Sequence, residues 1–231
     1  MIKKLYLQTK KLHYGKYLYK AKLNLELSYI FRNEHQKGKS LRFARLKLNQ
    51  YNSHILAGEP PVRRTFNWQR PIPLDEVSNA EIVYNILIKH TDYIVRCETN
   101  TLFIYTNSKH LINKLEKNLN CVLEIYAPSE EDLNLLLNKS NIIIVDKPPA
   151  YEYKVTFGKK LGSPALARWI QNNPNLAKIG PSTLAECLSQ GYVKGYYFYV
   201  RDEKTLFMTE MIIGDNIQRV DKLVYNNNID K

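Results

Sequence analysis

The chain has 231 residues, 44% hydrophobic and 24% charged, a composition that calls for a packed core in one large or two small domains and excludes wholesale disorder. Its net charge of +12 is local: residues 1–71 hold 16 Lys/Arg against Glu26, Glu34 and Glu59, whereas residues 72–231 hold 18 Lys/Arg against 19 Asp/Glu. Cys97, Cys121 and Cys187 are odd in number and scattered, which excludes a disulfide framework or zinc knuckle. No run reaches the roughly 18 apolar residues of a membrane span.

In chain order, "KLYLQTK" and then "YLYKAKL" (Tyr17–Leu23) read as β-strands. An irregular basic stretch follows. It opens with "NEHQKGKS" (Asn33–Ser40), which shares letters with the end of a phosphate-binding loop but lacks its first glycine and its β-α context. Within the stretch, Leu41, Ala44, Leu48, Tyr51 and Ile55 fall at helical spacing. Leu74–His90 predicts a helix, and Tyr93–Glu98 with Thr101–Thr106 a hairpin around Thr99-Asn100. Ser108–Leu119 predicts a second helix, Cys121–Ala127 a closing strand, and Ser129–Lys139 a short linker helix.

The second half repeats this order. "YEYKVTF" (Tyr151–Phe157) matches "YLYKAKL" in its Tyr-x-Tyr-Lys core, and "VRDEKTLF" (Val200–Phe207) echoes "VRCETNTLF" (Val95–Phe103). Reading the two echoes in register predicts a helix over Pro181–Gln190, a hairpin of Tyr196–Asp202 and Thr205–Ile212, and a last helix over Asp215–Val224. On that register a fourth strand is missing from the second half or is lent by another segment. The expected fold is therefore α+β: two tandem ferredoxin-like (βαββαβ-type) units. Unit 1 covers 1–128 with a basic insertion at about 33–73, a linker helix covers 129–140, and unit 2 covers 141–231.

The insertion interleaves cations and aromatics. Arg42, Arg45, Lys47, Arg63, Arg64 and Arg70 offer phosphate contacts, and Phe66 and Trp68 offer ring faces. Guanidinium groups pair bidentately with phosphate and aromatic faces stack on unpaired bases, so the pattern points to single-stranded RNA or DNA. The plain alternative gives these aromatics to the domain's own packing. "KGYYFYV" (Lys194–Val200) resembles the aromatic strand motif of RNA-recognition-motif domains, with Tyr197 in the small-residue slot and Tyr199 in the valine slot. Stacking on Tyr196, Phe198 or Tyr199 is what that resemblance implies.

His13, His35, His54, His90 and His110 lack metal-ligand spacing, and no cofactor motif occurs. A tandem ferredoxin-like order is similar to that of CRISPR repeat-processing ribonucleases, whose glycine-rich loop near the C-terminus is absent here. The expectation is a non-enzymatic nucleic-acid-binding protein. A metal-independent endoribonuclease using His13, His35 or His54 and a virion-associated structural protein are the alternatives, and a homo-oligomer or protein partner stays open. Abundant Asn, Lys, Ile and Tyr, all with A/T-rich codons, point to a phage, virus or mobile element. The expected location is the cytoplasm, or the host cytoplasm or virion if the source is viral.

Overall fold

The computed structural model describes residues 4–32, 41–65 and 68–225, excluding the side chains of Arg64, Thr65 and Trp68. The loop-like "NEHQKGKS" and Phe66 lie outside these residues. The chain is mixed α+β, with two mixed five-stranded sheets and several helices among the described residues. It divides into two compact units: residues up to 9 together with 16–129, and residues 10–15 together with 130 onward.

Unit 1 begins with strands β1 (Leu5–Gln8) and β2 (Tyr19–Asn24). A 3-10 segment (Glu26–Phe31) and helix α1 (Arg42–Leu56) follow, then strands β3 (Val62–Thr65) and β4 (Trp68–Pro71), which pair antiparallel. Helix α2 (Leu74–Leu87), strands β5 (Tyr93–Glu98) and β6 (Thr101–Thr106), helix α3 (Lys109–Asn118) and strand β7 (Val122–Ala127) complete it. The sheet order is β1-β7-β2-β6-β5, parallel only between β1 and β7. Strand β2 shows why one face is buried: Tyr19, Ala21 and Leu23 are buried, while Lys20 and Lys22 alternate to the opposite face. Ser108 caps α3 by accepting a hydrogen bond from the Leu111 N–H at 3.2 Å, and Leu111, Ile112 and Leu115 form its buried stripe.

Unit 2 holds helix α4 (Glu130–Asn138), strands β8 (Ile142–Val145) and β9 (Tyr153–Phe157), helix α5 (Pro164–Asn172), strand β10 (Ala177–Ile179) and helix α6 (Pro181–Leu188). Strand β11 (Tyr197–Val200), helix α7 (Glu203–Ile213) and strand β12 (Ile217–Tyr225) end the described chain. Its sheet order, β10-β11-β9-β12-β8, is parallel only between β12 and β8. Segment 10–15 is part of this unit: the Lys10 carbonyl accepts from the Ile144 N–H at 2.8 Å, and Lys10 pairs with Asp146. The core gathers Val155, Phe157, Leu166, Ile170, Phe198 and Val200. Gly162 lets α5 begin hard against α6, since a Cβ there would stand 2.6 Å from the Cys187 Cα.

Several expectations for the second half are corrected. "VRDEKTLF" is no hairpin: β11 stops at Val200, and Asp202 caps α7 by accepting from the Thr205 N–H at 2.8 Å and from its hydroxyl at 2.7 Å. Thr205–Ile212 is helical because that cap, the i, i+4 burial of Thr205 and Thr209 and the helix-forming Leu206, Met208, Glu210 and Met211 prevail over its three β-branched residues. Asp215–Val224 is mostly strand β12, so the fourth strand is present. Lying between β9 and β8, it is an interior strand, and its burial does not alternate cleanly. Between β9 and β10 lies α5, capped by Ser163 and opened by Pro164, while the expected helix at Pro181 is α6, between β10 and β11. Between β2 and α2 the described residues hold the 3-10 segment, α1 and the β3–β4 pair, whereas β9 and α5 are separated by residues 158–163.

Candidate nucleic-acid interface

Helix α1 buries Ala44, Leu48 and Tyr51 behind Leu41, the stripe expected from spacing, and packs on α2 and the 3-10 segment. That leaves Arg42 and Arg45 exposed, with Lys47 half-exposed and its ammonium 3.2 Å from the Gln50 side-chain oxygen. None of the three forms an ion pair among the described residues. The first turn of α1 holds no acidic residue. Cations near a helix N-terminus oppose its dipole, an unfavourable placement that a bound anion would reverse.

The β3–β4 pair treats its arginines differently. Arg63 and Arg70 are cross-strand neighbours, a like-charge pairing that needs compensation. The Arg63 guanidinium stacks 4.5 Å above the Tyr29 ring centre, and an Arg70 amino group lies 3.5 Å from a Glu26 carboxylate oxygen. The Glu26 N–H in turn donates to Glu76 at 2.8 Å, and Tyr29 and Tyr51 share a hydrogen bond through their hydroxyls. Burial pushes the Tyr51 phenol well above its ordinary range, so it stays protonated. Of the eight sequence-selected residues, Arg42, Arg45 and Lys47 therefore share one helix. Arg63 and Arg70 share a hairpin and have partners within the fold. Arg64 and Trp68 sit on that hairpin with side chains outside the description, and Phe66 lies outside it entirely.

Of a second constellation the sequence reading named only Tyr197 and Tyr199; Phe198, named with them, is fully buried. On the sheet face of unit 1 opposite its buried alternation, one cross-strand row runs Ile94, Tyr105, Lys20, Tyr126, Leu7, and the next runs Arg96, Phe103, Lys22, Glu124, Leu5. The Lys20 ammonium rests 4.8 Å from the Phe103 ring centre and 4.2 Å from that of Tyr126. In unit 2 the corresponding rows are Lys178, Tyr199, Lys154, Asp221 and, beside it, Tyr197, Thr156, Arg219. There the Lys154 ammonium sits 3.7 Å from the Tyr197 ring centre, and Tyr197 meets Tyr199 edge-on at 5.5 Å. Lys20 and Lys154 are the lysines of the two Tyr-x-Tyr-Lys repeats. That repeat was the available signal, although it first reads only as a mark of duplication.

No group of three or more His, Cys, Asp or Glu able to hold a metal occurs among the described residues. His54 lies 2.9 Å from Glu59, and His35 is outside the described residues. Burial pushes the Cys97 and Cys121 thiols up to about 11 and raises that of Cys187, which suits inert core thiols rather than nucleophiles. No helix among the described residues is long and apolar enough to cross a membrane. No protein-family model matches the chain, and no curated protein or solved structure matches it significantly.

Proposed function

We propose that this chain binds single-stranded nucleic acid without catalysis, on a scaffold of two ferredoxin-like units. The observation that carries the binding reading is the surface of α1, where Arg42 and Arg45 lie together on one side and Lys47 on the other flank, all without carboxylate partners among the described residues. Arg42 and Arg45 load the first turn of α1 with positive charge, and all three lie in the third of the chain that holds all of the charge excess. Phosphates would neutralise these cations and release condensed counterions, the dominant driving force for such binding. The scaffold reading is supported by strand order. Setting aside β1 and β8, β7-β2-β6-β5 and β12-β9-β11-β10 each place the first and third strands of a β-α-β-β-α-β unit at the centre.

Fluorescence anisotropy with labelled single-stranded RNA, single-stranded DNA and a duplex of equal length tests the reading at low salt. Single strands are expected to bind more tightly than duplex, because unstacked bases add ring contacts to the phosphate term. Tighter duplex binding would overturn the single-strand assignment. No binding to any of the three would overturn the function.

A further inference from the structure

We propose that the face of each sheet turned away from its helices is a base-stacking platform for single-stranded nucleic acid, built from one lysine on the first core strand and the accessible aromatic residues on the third. The platform is Lys20 with Phe103 in unit 1, where the neighbouring Tyr105 is itself buried at 6% exposure, and Lys154 with Tyr197 and Tyr199 in unit 2. This inference rests on the nucleic-acid reading above and deepens it by assigning a contact surface to the bases.

Register carries the correspondence. Lys20 is paired with Tyr105 and stands one step from Phe103; Lys154 is paired with Tyr199 and stands one step from Tyr197. The two units agree at these three positions while the flanking strand differs, with Tyr126 and Glu124 in one and Asp221 and Arg219 in the other. The opposite faces of the same strands are core: Ala21, Ile104, Val155 and Phe198 are fully buried. That core does not account for Phe103, Tyr197 and Tyr199 on the outer face, whereas Tyr105 is buried there. Tyr197 remains 42% exposed, enough to offer an aromatic surface to a ligand.

Charge selects the occupant. Unit 2 holds 15 Lys/Arg and 12 Asp/Glu. Lys154, Lys178 and Arg219 stand in these two rows with Lys11 close by, against one carboxylate. That carboxylate, Asp221, is buried and held by Arg219 at 2.8 Å. The remainder of the unit is charge-balanced, so its whole excess gathers at the aromatic rows. Neither Lys20 nor Lys154 forms an ion pair among the described residues. Burial lowers the affinity of both ammonium groups for their proton, and for Lys154 the neighbouring Lys11 and Arg219 act in the same direction. A phosphate would offset that cost while the adjacent rings take up bases, the combination that single-strand binders use.

The test uses the full chain with two labelled oligonucleotides of equal length, one oligothymidylate and one abasic, so that charge is constant and only the bases differ. The base-bearing strand is expected to bind more tightly. Phe103→Leu and Tyr197→Leu together are expected to weaken it about 5- to 100-fold while leaving the abasic strand unchanged. Tyr197→Phe, which keeps the ring, should retain wild-type affinity, whereas Lys154→Gln should weaken both strands. Equal binding of the two strands by wild type, or full affinity in the double leucine variant, would overturn the platform while leaving phosphate binding intact. Polyglutamate competing as well as the oligonucleotide would show that the faces take an acidic protein instead. Failure of both strands to bind at low salt would overturn the nucleic-acid reading itself.

Discussion

Phe31→Ala is expected to destabilise the protein by about 3–5 kcal/mol, measured as a lower urea midpoint in circular dichroism. Phe31 ends the 3-10 segment that opens the extra part of unit 1. With Leu25, Leu27 and Ile30 it is fully buried, and the segment packs against β5, β6, α1 and α2. Backbone bonds stitch the same segment to the β5–β6 turn. The Leu25 N–H donates to the Asn100 carbonyl at 2.8 Å, the Ser28 hydroxyl donates to the Thr99 carbonyl at 2.8 Å, and the Cys97 thiol donates to the Ser28 carbonyl at 3.1 Å. The extra segment is thus part of the core that positions α1 and not an appended loop. A loss below about 1 kcal/mol would mean that this packing contributes little to the folded state.

Phe198→Ala is expected to cost about 3–5 kcal/mol as well, by emptying the centre of unit 2. The Phe198 ring is fully buried and meets Phe157 with ring centres 5.2 Å apart. The neighbouring position gives the control. Tyr197 points to the opposite face, so Tyr197→Ala should change stability by less than about 1 kcal/mol, with its effect appearing in binding. Denaturation of both variants checks this: equal losses would contradict the facing assigned to β11.

How far the sequence revealed this arrangement depended on how local the determining contacts are. The β5–β6 hairpin, α2, α3 and the α1 stripe are set by turn chemistry or by i, i+3 and i+4 burial, and all were readable. Thr205–Ile212 misled because it was read in register with the first-half hairpin, although Asp202 caps a stretch rich in helix formers such as Leu206, Met208, Glu210 and Met211. The strand β12 misled because its apolar residues follow burial between two neighbours, which mimics helical spacing over a few positions. The aromatic–lysine rows were illegible for another reason. They join residues far apart in sequence, such as Lys20 and Phe103, through strand register that no local pattern encodes. For the insertion cations, spacing separated Arg42 and Arg45 from the buried stripe of α1. It gave no warning that Arg63 and Arg70 would find Tyr29 and Glu26.

Nucleic-acid binding through α1 is tested most directly by the salt dependence of affinity for single-stranded RNA, compared between wild type and an Arg42→Ala, Arg45→Ala, Lys47→Ala variant. The logarithm of wild-type affinity should fall linearly with the logarithm of salt concentration. The variant's slope should be shallower by about 2, at roughly 0.7 for each phosphate that the three cations no longer neutralise. Affinity that is absent at low salt, indifferent to salt, or identical in slope for the two proteins would contradict this binding mode.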